Sequence, residues 1–157
     1  MIVQPGVKTF FFQLHTGTVL VKTWMAEKGL FVPWGTDCSL CKKPETIEHV
    51  FIECSDAVFF WNILQRTLKK DLPINARGIR FLPVVNDDGV PFDILMLLGL
   101  HGIWKSRMAV HHNDVDAKPV RQYFHEDVLT SLEVHKAQPC VPQWVPRVEA
   151  VLHMKPI

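Results

Sequence analysis

The chain has 157 residues, 48% of them apolar and 21% charged, with 17 Lys and Arg set against 16 Asp and Glu. That length fits one domain or two small ones, and ten Phe with five Trp can fill a core. A net charge of +1 excludes a general polyanion binder, so any contact with nucleic acid must be local.

Reading along the chain, Lys8 to Leu14 has the pattern of a short helix, broken at His15-Thr16-Gly17-Thr18. Val19 to Lys28 resumes it, with Leu20, Val21, Trp24 and Met25 on one face and Gly29 at the stop. Residues 31–37 contain Pro33 and Gly35 and read as a loop. Glu45 to Ile52 follows Pro44 as a short helix, with acids in its first turn, where the helix dipole favours them. Ser55 or Asp56 is placed to cap the next helix, which runs to about Lys70 on the stripe Ala57, Phe60, Trp61, Leu64 and Leu68. Pro73 to Pro83 reads as irregular or a short strand, and Asn86-Asp87-Asp88-Gly89 as a turn. Phe92 to about Val110 is the most buried-looking helix, aligning Phe92, Leu95, Met96, Leu100 and Ile103. After a loop at 113–119, Val120, Tyr123, Phe124, Val128, Leu132 and His135 mark an amphipathic helix. Trp144, Val145, Val148, Val151 and Leu152 predict a last short helix, with Pro146 tolerated in its first turn. The expected fold is mainly α: a zinc-binding part over residues 1–82 and a helical C-terminal tail region over 83–157.

The charge is uneven. Residues 1–80 carry ten Lys and Arg against seven Asp and Glu, and residues 81–157 carry seven against nine. No stretch reaches the ~18 apolar residues that span a bilayer. The N-terminus lacks the basic, apolar and small-residue sequence of a secretion signal. Together these predict an intracellular protein, in nucleus or cytoplasm, where grouped cysteines bind metal more often than they form disulfides.

Cys38-x2-Cys41-x7-His49-x4-Cys54 is the sharpest pattern in the chain. A Cys-x-x-Cys turn aims two thiolates at one point, and thiolates with an imidazole suit tetrahedral zinc. His49 and Cys54 must come from a second element. Their five-residue step does not align on a straight helix, so a bend is expected near Glu53. Four protein ligands leave no open position, so the one zinc is expected to be structural. The loop around it has little apolar material, and a structural zinc contributes on the order of 10 kcal/mol to folding. Lys42 and Lys43 can offset the thiolate charge. A redox pair would need a strand before and a helix after it, and Gly35-Thr36 and Lys43-Pro44 supply neither. Cys140, alone between Pro139 and Val141, reads as a packing residue.

The flanking residues carry more. Phe11-Phe12-Gln13-Leu14-His15-Thr16-Gly17-Thr18 and Val21-Lys22-Thr23-Trp24 precede Pro33-Trp34-Gly35 and Cys38-Ser39-Leu40-Cys41. Pro44-Glu45-Thr46-Ile47-Glu48-His49-Val50-Phe51-Ile52-Glu53-Cys54 and Phe59-Phe60-Trp61 follow. This arrangement resembles the zinc-binding domain that follows the reverse transcriptase domain in LINE-type non-LTR retrotransposon polyproteins. Leu97 to Arg107, with Trp104-Lys105-Ser106-Arg107, resembles that family's downstream helix. The likeness covers about residues 8–112. It implies a parent polyprotein that reverse-transcribes RNA, not a polymerase here: Asp87-Asp88 lies in a turn, without the apolar strands such a pair uses.

Three functions compete. In the first, a non-catalytic zinc module binds RNA or DNA through Lys42, Lys43, Arg66, Lys69 and Lys70, with Trp34 stacking on an unpaired base. The same cations also read as a solvated helix face. In the second, the zinc is purely structural and the chain is a docking module, with the rest of a reverse transcriptase polyprotein as one partner that the resemblance implies. In the third, Pro91-Phe92-Asp93 and Asp116-Ala117-Lys118 loosely echo a restriction-like endonuclease, but in a helical setting where a sheet is needed. His111, His112, Asp114 and Asp116 read as an exposed polar loop rather than a second metal site. Lys105 and Arg107 read as a favourable helix end. No small-molecule substrate is suggested.

Overall fold

The computed structural model describes residues 2–30, 32, 35–86, 89–111 and 118–153, and every regular element among them is helical. Helix α1 spans Pro5–Thr16, α2 Lys22–Glu27, α3 Ser55–Leu68, α4 Ala76–Phe81, α5 Phe92–His111, α6 Val120–Lys136 and α7 Val145–Glu149. A π-helical turn, His49–Glu53, leads into α3, and a 3-10 turn, Ala150–His153, follows α7. One isolated antiparallel bridge joins Asp37 to Pro44.

Local chemistry explains the boundaries. Pro5 opens α1, where its missing N–H costs nothing. Gly17 closes α1 at φ 73°, a left-handed conformation that glycine adopts without strain, and its N–H and that of Thr18 bond back to Leu14 and Gln13. Helix α2 starts three residues later than expected. Val19 and Val21 are buried in the extended segment before it, while Leu20 is exposed. Neither Ser55 nor Asp56 caps α3: Cys54 holds the cap position, with no side-chain capping bond. The segment read as irregular or strand contains α4, started by Asn75, whose Oδ1 accepts from the Gly78 N–H at 2.8 Å. The turn pair Asp87-Asp88 and the acidic loop with His112, Asp114 and Asp116 lie outside the described residues.

Helix α5 is the axis of the molecule. It packs on α6, on α1 and on the π turn. Phe92, Leu95, Met96, Leu98, Leu100 and Ile103 are all buried, each contributing roughly 1.5–3 kcal/mol of burial. Two glycines set its close contacts. A Cβ at Gly99 would lie 2.9 Å from the Phe60 ring and 3.1 Å from Trp61 on α3. One at Gly102 would lie 3.2 Å from the Phe124 backbone nitrogen on α6. A single apolar cluster runs from Phe10, Val50, Phe51 and Trp61 to Leu95, Phe124, Val128, Leu132 and Val148, so it draws on both sides of the loop at 83–91.

A buried polar contact pins α6 to α5. Asp127 accepts from His101 at 2.8 Å and from Lys105 at 3.0 Å. Burial pushes its carboxyl up, but the His101 and Lys105 contacts outweigh this and hold it below the ordinary range. A carboxyl depressed on folding adds stability above its unfolded pKa, roughly 4, and loses it as pH falls through the folded value. Acidification below about pH 4 is therefore expected to weaken the fold. Asp127→Asn should reduce that acid sensitivity and cost, at neutral pH, toward the lower end of the ~3–5 kcal/mol of a broken buried pair. Denaturant melts of both proteins across the acid range measure it.

Candidate metal centre

The knuckle is built by backbone. The Cys38 N–H donates to the Lys43 carbonyl at 2.7 Å and the Lys42 N–H to the Cys38 carbonyl at 2.9 Å, with Lys42 at φ 61° closing the turn. Across from it, the chain bends at Cys54, one residue past Glu53, but the turn that leads there is not α-helical. It widens: the Cys54 N–H donates to the His49 carbonyl at 2.7 Å, five residues back, and makes a π turn. A five-residue step that misaligns on an α-helix aligns on this wider turn, which is where such turns recur in functional sites. The expected helix over Glu45–Ile52 is therefore mostly this π turn.

The result is one compact cluster. Ligand atoms of Cys38, Cys41, His49 and Cys54 all lie within 4.8 Å of one another. The Cys54 sulfur is 3.9 Å from that of Cys38 and 3.8 Å from that of Cys41. Cys38, His49 and Cys54 are buried and Cys41 is partly so. His49 Nδ1 lies 3.9 Å from the Glu53 carboxylate, while Nε2 is buried without a hydrogen-bond partner among the described residues. An orphaned imidazole nitrogen beside three thiols is costly unless a cation takes it. The donor set of one nitrogen and three sulfurs fits a structural zinc, with Cys38, Cys41, His49 and Cys54 as its holders.

The side chains that hold the four donors in place were not legible in the sequence. Arg107, from the last turns of α5, is buried and donates Nη1 to the Cys38 sulfur at 2.8 Å and Nη2 to the Cys54 sulfur at 2.9 Å. It also lies 3.4 Å from the Glu45 carboxylate. Glu45 is fully buried and accepts from the Lys22 N–H at 3.0 Å and from His111 at 2.9 Å. Lys22 is buried as well, its ammonium donating to the Asp37 carbonyl at 2.8 Å and to the Ser39 hydroxyl at 3.2 Å. Arg107 thus does far more than end a helix well, and His111 belongs to this group of supporting side chains rather than to an exposed polar loop.

The electrostatics follow. Burial pushes the Cys38 thiol up, but Arg107, backbone N–H groups and His49 outweigh it and bring it to about 6. Burial pushes Cys54 to about 11, with the neighbouring Cys38 charge adding to the rise. Burial also raises Glu45, yet His111, the Lys22 N–H and Arg107 hold it below its ordinary value. Zinc with three thiolates and a neutral imidazole carries one surplus negative charge, and Arg107 supplies the matching positive one.

Residues 1–61 match the family model described as zinc-binding in reverse transcriptase. The resemblance read from the sequence is borne out over that segment, and the matched family is a zinc-binding domain rather than a catalytic one. No curated protein and no solved structure matches the chain. The match to the zinc-binding family ends inside α3, so Arg107 and His111 reach the site from beyond it.

The other predicted residues scatter. Lys42 and Lys43 are exposed on the knuckle, with the Lys42 ammonium donating to the Ser39 carbonyl at 3.0 Å. Arg66, Lys69 and Lys70 sit at the far end of α3, Lys70 5.2 Å over the Phe92 ring. Helix α3 itself has 14 residues, a length of about 21 Å at ~1.5 Å per residue. Trp34 lies outside the described residues. Lys118, part of the nuclease echo, pairs with Glu126 at 2.7 Å ahead of a helix, and Asp116 lies outside the described residues. Cys140 is exposed, not packed. Among the described residues no helix is long and apolar enough to cross a membrane.

The purified chain should carry one zinc, lost in Cys38→Ser together with helical folding; elemental analysis and circular dichroism check both. Arg107→Ala should keep the four ligands and still weaken zinc by roughly 10–100-fold. A chromophoric chelator in competition reads that change. Because the thiols must lose their protons, affinity should fall as pH drops, most steeply below about pH 6, where Cys38 itself takes a proton.

Proposed function

We propose that the chain is a non-catalytic, zinc-stabilised module from the C-terminal region of a non-LTR retrotransposon reverse transcriptase, and that it contacts nucleic acid through local groups of cations. What supports the reading is the placement of exposed Lys42 and Lys43 on the rim of a metal site of the reverse transcriptase zinc-binding family. A second group, Arg66, Lys69 and Lys70, lies at the C-terminal end of α3, a helix roughly 21 Å long whose other end starts beside Cys54. Two cationic groups on different segments suit an extended phosphate backbone better than a compact anion. Four protein donors are enough to fill a tetrahedral metal's positions, which fits a role in holding shape rather than in chemistry. Three reduced ligand thiols fit work inside the cell.

A protein-docking role is the second reading, favoured by Val58 and Phe59, adjacent and exposed on α3.

Binding of RNA and DNA oligomers by the zinc-loaded chain should weaken with salt. Changing Lys42, Lys43, Lys69 and Lys70 together to Gln should lower affinity and reduce the salt slope by up to about 3 for single strands. Unchanged binding by that variant would move the cations to the solvated-surface role and leave the docking reading.

A further inference from the structure

One exposed cluster is used neither by the metal centre nor by the lysines around it. Helix α4 packs beside α1, and their side chains interlock at the surface. The Phe81 ring is 49% exposed. The Arg77 guanidinium lies 5.4 Å from its centroid and that of Arg80 5.7 Å. The His15 ring meets Phe81 edge-on at 5.1 Å, and Phe11 meets His15 at 6.0 Å. Arg80 is held in place, donating Nε and Nη2 to the His15 carbonyl at 3.1 and 2.9 Å, while its own carbonyl faces His15 Nδ1 at 2.9 Å. Arg77 has only the Phe81 ring as a side-chain partner among the described residues. Further along α1, Lys8 is exposed and Phe12 is 66% exposed.

The charge of this face is one-sided. Residues 2–26 contain no Asp or Glu, and neither do residues 72–86. Near-zero net charge for the chain therefore conceals two helices, α1 and α4, that bear cations and no carboxylate of their own. Phe11 packs against the core, but Phe81 and Phe12 stay exposed while α1 and α4 bury Phe10, Leu14 and Ile79 inward. Planar guanidinia and half-exposed rings offer flat faces, and neither α1 nor α4 supplies an anion to pair with the guanidinia. A partner complementary to both properties is anionic and carries exposed π faces. Single-stranded nucleic acid has both; duplex hides its base faces, and an acidic peptide lacks them.

We propose that the α1–α4 surface is a stacking site for an unpaired base of single-stranded nucleic acid, with Phe81 and the Arg77 and Arg80 guanidinia as the platform and His15 and Lys8 along the backbone path. It rests on the nucleic-acid reading above and gives that reading a surface distinct from Lys42, Lys43, Arg66, Lys69 and Lys70.

The zinc-loaded chain is titrated with single-stranded RNA and DNA oligomers carrying 2-aminopurine, and with the matching duplex. Single strands should bind more tightly than duplex and change 2-aminopurine fluorescence on binding. Phe81→Leu keeps an apolar side chain but removes the aromatic face. It should weaken single-strand binding roughly tenfold or more, abolish the fluorescence change and leave the salt slope alone. Arg77→Gln, at an exposed side chain without hydrogen bonds, should lower the salt slope by about 0.7 and keeps the test independent of any folding defect at Phe81. If both variants bind like wild type while the four-lysine variant is weakened, the stacking site falls and nucleic-acid binding stands. If wild type binds neither strand nor duplex, both fall. If poly-glutamate displaces the oligomer as well as unlabelled single strand does, the face is an acidic-protein surface and the stacking site falls.

Discussion

A buried guanidinium spans two cysteine sulfurs, 2.8 and 2.9 Å away, and touches a fully buried glutamate. Moving any one of these groups out of water alone would be expensive, and together they neutralise one another. The geometry makes Arg107 the joint between the metal knuckle and α5, the helix on which the rest of the core is stacked. Glu45 performs the reverse service. It draws in His111 from the end of α5 and the Lys22 N–H from the start of α2, so three separate segments close around one carboxylate. Metal affinity and tertiary packing are thereby linked through a handful of side chains.

That arrangement explains why a nearly complete inventory of the inner site could be read from the sequence while its outer half could not. Cys-x-x-Cys and the His and Cys that follow are a local pattern, and their spacing marks them as candidate ligands. Lys22, Glu45, Arg107 and His111 are brought together by tertiary contact, and nothing in the residues around Arg107 separates a buried clamp from a solvated helix end. The helical stripes of α3, α5 and α6 were equally legible, because burial of one face imposes its period on the sequence. The short α4 was not. Its start depends on one Asn75 side chain, and prolines at both ends of its segment suggest a loop before they suggest a helix. Cys140 misled for a simpler reason: an apolar-looking residue between proline and valine need not be near any core.

The surface tells a related story. Overall composition made the protein look electrically neutral, yet acids and bases are sorted by position. The carboxylates that matter most, Glu45 and Asp127, are turned inward, Glu45 toward buried Arg107 and Asp127 toward partly buried Lys105. Helices α1 and α4 bear none at all. Net charge is a sum over the whole chain, whereas a partner meets only the part that faces it.

The π turn at His49–Glu53 has one more consequence, which concerns insertions and deletions. It sets both where Cys54 stands and where α3 begins, because Cys54 is at once the last ligand and the cap of that helix. One residue added or lost between His49 and Cys54 would rotate everything downstream by about 100° of helical phase. The metal and the Phe60–Trp61 face of α3 could then no longer be satisfied together. The four-residue gap is a phase setting shared by two structures, so its length should be far less free to drift than the identities of the exposed residues within it.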